Sequence, residues 1–132
     1  MEKLTAKQAN ELANNFLGLA QAIGDYRYQN SLPKQQNQKI KDLHWSVLNC
    51  ADDLYTLSAT LVMDDVEQSL LAIATITKEL QADYKKLQDV QNAINVAASI
   101  VTLGSSLFSK NPQAIKESLS NLASLWKSSL QL

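Results

Sequence analysis

Residues 90–109 read VQNAINVAASIVTLGSSLFS, twenty positions without a charge, bounded by Asp89 and Lys110. A helix needs about twenty residues to cross a bilayer. Three readings therefore compete: a membrane segment, a core helix covered by its own chain, or a surface that meets a partner. Gln91, Asn92 and Asn95 are each costly in hydrocarbon without a partner. Five hydroxyls add to that cost, although Ser and Thr can bond back to their own helix. The sum is unfavourable for a lone span, and the choice passes to the flanking sequence.

Upstream, Val66, Leu70, Ile73, Thr77, Leu80, Tyr84, Leu87, Gln91, Ile94, Ala98 and Val101 recur by three and four, with no proline or glycine before Gly104. Asp64 and Asp65 are N-cap candidates, and Glu67 suits the first turn. The pattern predicts one helix of about 40–45 residues, about 60–68 Å long. A kink near 81–83 is the alternative, and no local residue argues for it. On a helical wheel, Glu67, Lys78, Lys85, Lys86 and Asp89 share the water-facing sector in the first half. In the second half the same sector holds Val96, Ile100, Leu103 and Leu107, while Ile94, Ala97, Ala98, Val101 and Phe108 continue the original stripe. Supercoil drift of about 20° per heptad is too small to explain the change.

The remaining helices are punctuated more plainly. Thr5 and Gln8 form a T-x-x-Q capping box ahead of Ala9, Leu12, Phe16, Leu19, Ile23 and Tyr26, which predicts a helix over 5–29. Pro33 opens a second helix, to about 62, with Ile40, Leu43, Val47, Cys50, Leu54, Leu57 and Leu61 on its stripe. The 3.5-residue mean spacing of that stripe predicts near-antiparallel, coiled-coil-like packing. Asn111-Pro112 supplies a cap and a first-turn proline for a helix over 112–130, striped by Ile115, Leu119, Leu122, Trp126 and Leu130.

The expected fold is all-α: an antiparallel four-helix arrangement with one long third helix, in a single helical domain over 1–132. Composition agrees, since 132 residues that are 45% hydrophobic, with two prolines and three glycines, can build a core but few sheet turns. The second helix covers the third only to about residue 95. The tail beyond then has more apolar perimeter than one returning helix shelters, and such a patch marks an interface. The expected contact residues are Val96, Ile100, Leu103, Leu107 and Phe108, with Leu125 and Trp126 on the last helix. Arg27 and Tyr28, in the run Asp25-Tyr26-Arg27-Tyr28, form a second candidate patch, because tyrosine and arginine favour protein recognition.

Little in the chain promises catalysis. His44, the one histidine, has Ile40 and Leu48 rather than carboxylates one turn away, and no E-x-x-H or H-x-x-x-H pair exists. Cys50, the one cysteine, falls on an apolar stripe, where burial makes a thiol inert. Asp52-Asp53 read as solvated, and no glycine-bearing calcium loop or phosphate loop is visible. No catalytic, metal or cofactor-binding residue is expected.

Twelve basic residues against thirteen acidic, with the cationic stretches 34–41 and 85–86 diluted by amides or acids, argue against nucleic acid. The charged, amide-rich start MEKLTAKQ reads as neither a secretory signal nor a lipidation site, and a cytoplasmic location is expected. The functional expectation is a non-enzymatic interaction protein (an adaptor, inhibitor, immunity-type or assembly factor) that forms a homodimer or binds a helical partner. The alternative is a membrane-active helical protein that conditionally exposes 90–108, and an enzyme is the least supported class.

Overall fold

The computed structural model describes the chain except Met1, residues 57–60, Asp64, Lys110 and residues 131–132; at Glu2 and Val62 it describes the backbone alone. The fold is all-α. Five helices are present among the described residues: α1 (Ala6–Gln29), α2 (Lys34–Thr56), α3 (Val66–Asp83), α4 (Val90–Leu107) and α5 (Pro112–Leu130).

Helix ends fall where side chains satisfy free backbone groups. Thr5 Oγ1 accepts from the Gln8 N–H at 3.1 Å, and Gln8 Oε1 accepts from the Thr5 N–H at 2.9 Å, closing the capping box of α1. At the other end, both the backbone N–H and the side-chain amide of Asn30 donate to the Tyr26 carbonyl. Asn111 Oδ1 accepts from the Gln113 and Ala114 N–H groups, so Pro112 begins α5 as its geometry favours.

The second helix ends earlier than the stripe predicts. After Thr56 the described chain resumes extended at Leu61, whose carbonyl accepts from the Leu4 N–H, and Val62–Met63 pairs antiparallel with Glu2–Lys3. Leu4, Leu61 and Met63 are buried. The chain start therefore clamps Leu61–Met63 by backbone pairing and apolar burial. Leu57 lies outside the described residues. So does Asp64, while Asp65 sits at the α3 N-cap with φ 48° and no side-chain capping bond; its carboxylate instead lies 3.6 Å from Lys116 Nζ.

The long third helix is not formed, which is the principal correction to the sequence reading. α3 ends at Asp83, one tight turn follows at Tyr84–Lys86, and α4 starts at Val90. Leu87 is extended, with φ −60° and ψ 128°. Asp89 Oδ1 accepts from the Gln91 N–H at 2.9 Å and so caps α4. Tyr84, fully buried, donates its O–H to the Ala93 carbonyl at 2.6 Å and sets its ring edge-on to Tyr26, with centroids 5.3 Å apart.

Magnitudes explain the bend. A break forfeits a few helical hydrogen bonds, each worth about 0.5–1.5 kcal/mol net, and the cap returns part of that. Folding back buries Val96 (0% exposed), Ile100 (1%), Leu103 (0%) and Leu107 (2%). Each such side chain contributes about 1.5–3 kcal/mol. Burial wins.

The helices run alternately. Gly24 of α1 meets His44 of α2, and Asn14 of α1 accepts a hydrogen bond from Tyr55 near the end of α2, so these two are antiparallel. α3 runs parallel to α1, with Gly18 against Thr77 and Gln81, and Tyr26 against Tyr84. α4 packs on α2 and on α5, while α5 meets α3 along a thinner seam. α1 is the central element, buried at Leu12, Phe16, Leu19, Ile23 and Tyr26 along its length.

Candidate interaction surface

The expected contact set divides in two. Val96, Ile100, Leu103, Leu107 and Trp126 are core residues of one chain, and Phe108 and Leu125 are half-buried against that core. They do not form an exposed patch, because α4 folds back between α2 and α5 instead of overhanging its neighbours. Arg27 and Tyr28 do reach the surface: Tyr28 is 82% exposed and Arg27 half-buried.

Their neighbours on α2 complete a cluster that helical periodicity did not single out. The Arg27 guanidinium carbon lies 5.8 Å from the Tyr28 ring centroid. His44 stacks on Trp45, with ring centroids 6.2 Å apart, and Trp45 is 52% exposed. Burial, and then the nearby Arg27 charge, push the His44 pKa below its ordinary 6.5. A Cβ on Gly24 would come within 3.1 Å of the His44 ring, so the absence of a side chain there lets α1 approach the imidazole closely. Arg27 Nε and His44 Nδ1 are buried with no hydrogen-bond partner among the described residues. Near the end of α1, Arg27 sits beside Tyr28 and close enough to His44 to act on its charge, and His44 in turn stacks on the exposed Trp45 of α2.

Other concave places are less promising. A cavity of about 310 Å³ between α2 and α4 is lined by Ser46, Cys50, Asp53, Gly104 and Phe108, among others. Burial first, and Asp53 second, raise the Cys50 thiol to about 12, so it stays protonated at neutral pH and is a poor nucleophile without a base beside it. A groove of about 290 Å³ between α1 and α3 carries Leu71, 68% exposed, beside Glu11 and Glu67. Among the described residues no group of three His, Cys, Asp or Glu is placed to hold a metal ion. No helix among them is long and apolar enough to cross a membrane. No protein-family model, no curated protein and no solved structure matches the chain.

Proposed function

We propose that this chain is a non-enzymatic helical interaction protein that binds a protein partner through the Arg27–Tyr28–His44–Trp45 surface. The carrying observation is the exposure of Tyr28, with the Arg27 guanidinium beside its ring, and of Trp45, stacked on the His44 that Arg27 acts on. Tryptophan, tyrosine and arginine are the side chains that most often dominate protein–protein affinity. Each offers a large flat area with a polar edge, and little conformational entropy is lost when the aromatics are covered. The separation of the chemistry-bearing residues supports the same reading. His44 packs on Gly24, and Cys50 on Gly104. The antiparallel, coiled-coil-like packing expected from the α2 stripe belongs to this proposal as its rigid scaffold.

Affinity capture from the source cells, with quantitative mass spectrometry, tests the reading. Wild type, Tyr28→Ala with Trp45→Ala, and Leu71→Ala should melt alike. One protein should be retained by wild type and by Leu71→Ala, and depleted at least about tenfold by the aromatic double variant. Equal retention by all three, or nothing retained above bare resin, would sink the proposal.

A further inference from the structure

The turn between α3 and α4 is where sequence and fold pull apart. Residues 66–103 contain neither proline nor glycine, and Leu80, Tyr84, Leu87, Gln91 and Ile94 keep helical spacing straight through the break. Local preference therefore favours continuous helix. The bend is held from outside by the Tyr84–Ala93 hydrogen bond, by the Asp89 cap and by burial of Leu87.

α4 leans on α2 and α5 rather than on α3, which precedes it. α5 touches the first three helices mainly along its thin seam with α3, supplemented by the exposed Lys116–Asp65 pair. The α4–α5 hairpin is thus a unit that can leave when the turn straightens, taking its internal contacts with it. What it uncovers is chiefly one face on α2 and one on α4, together with the thin α5 seams against α3 and Val62–Met63 and the Phe16 ring of α1 beside Gly104. The α2 and α4 faces fit each other closely: a Cβ on Gly104 would lie 2.5 Å from Cys50 Sγ and 3.5 Å from its Cβ. A second copy of the chain carries both faces.

We propose that this chain forms a domain-swapped homodimer in which residues 84–89 become helical and each α4–α5 hairpin packs on the α2 of the other copy. Each α3–α4 segment then becomes a rod of about 42 residues, about 63 Å long. Every side-chain contact between α2 and α4 is remade across the two copies, so only the turn changes its bonding. The Tyr84–Ala93 bond is given up, and helical backbone bonds replace it. Two solutions then exist for the wide apolar perimeter of 96–107: fold back within one chain, or be covered by the next.

Refolding the full chain at high concentration, followed by size-exclusion chromatography with light scattering, provides the test. Wild type should give a dimer fraction that persists on dilution. Asp89→Ala removes the α4 cap and should raise that fraction at least about tenfold, since it favours the straight helix. Gln88→Pro should abolish it. Leu87 already has the backbone geometry that a following proline demands, whereas proline at 88 bars a continuous helix. Gly104→Cys adds a readout that does not depend on the proline variant folding. The 3.5 Å separation from the Cys50 Cβ suits a disulfide. The isolated dimer, oxidised and run on a denaturing gel without reductant, should show doubled mass, because each bridge joins two copies. Monomeric mass from that dimer, a dimer that survives Gln88→Pro, or no dimer from either wild type or Asp89→Ala overturns the proposal.

Discussion

α3 and α4 continue one heptad stripe, have eighteen residues each, and meet different fates. Eight residues of α3 are exposed, against four of α4. The exposed positions on α3 include Glu67, Lys78 and Glu79; on α4 they are Gln91, Asn95, Thr102 and Ser105, with no charge among them. α3 has one close neighbour, α1, and a thin contact with α5, whereas α4 is pressed between α2 and α5. A stripe at helical spacing thus states that a helix buries one face. The width of the apolar sector states how many neighbours it needs.

The largest test of this contrast places a carboxylate on each of the two helices, at a buried site on one and an exposed site on the other. Ile100→Asp puts a charge at a 1% exposed site on α4, while Leu71→Asp puts one at a 68% exposed site on α3. The first should cost at least about 4 kcal/mol, enough to unfold a marginal domain. The second should shift stability by no more than about 0.5 kcal/mol. Urea titration followed by circular dichroism reads both. A folded Ile100→Asp that has merely lost an assembly would restore the reading of α4 as an exposed interface.

A middle-sized effect separates the seams around two glycines. A Cβ on Gly18 of α1 would meet Gln81 Nε2 at 2.6 Å, but Gln81 is an exposed, flexible side chain that can swing aside, and the buried Thr77 Cγ2, at 3.3 Å, needs to give by only a few tenths of an ångström. A Cβ on Gly104 meets Cys50 Sγ, which has one torsion and the Phe16 ring nearby. Gly104→Ala should therefore cost about 1–3 kcal/mol from overpacking, offset by up to about 1 kcal/mol of helix propensity. Gly18→Ala should change stability by no more than about 1 kcal/mol in either direction, as the gain in helix propensity offsets the tight Thr77 contact. Combining Gly104→Ala with Cys50→Ala removes the clash, and the pair should couple by at least about 1 kcal/mol. Strict additivity in that cycle would mean that the α2–α4 seam is looser than its geometry shows.

Where local chemistry decides, the sequence was readable. The capping box at Thr5–Gln8 and the Asn111-Pro112 start mark α1 and α5 because their partners lie within three residues. The break at 84–89 was not readable from punctuation, since no proline or glycine stands there. It is a tertiary event, and its one local sign is Asp89, which the helical wheel places among the solvent-facing acids and which caps α4 in the fold. The altered apolar sector of 96–107 is legible in the sequence, but it points to a partner only as long as a straight rod leaves it uncovered. Of the candidate site, Arg27 and Tyr28 were legible as residue types. His44 and Trp45 were not, because periodicity places them off the α2 stripe without saying which helix stands beside them.

The smallest expected effect contrasts two buried ionisable regions. His44, between α1 and α2, has a pKa below its ordinary 6.5, from burial first and Arg27 second. Its neutral form is thus favoured in the folded state, and the unfolded chain binds more protons near and below pH 6.5. Stability should fall modestly as pH drops through that range, and His44→Gln should flatten the slope there. At the α3–α4 turn the sign reverses. Tyr84 is raised above its ordinary 10.0 by burial first and Tyr26 second, and Tyr26 is raised by burial first and Asp89 second. These phenols stay protonated in the fold while the unfolded chain ionises above about pH 10, so stability should fall on the alkaline side. Tyr84→Phe should reduce that alkaline loss and leave the acid limb unchanged. If the variant moved both limbs together, the two regions would not be titrating independently, and the turn would be coupled to the α1–α2 surface rather than merely sharing Tyr26's helix with it.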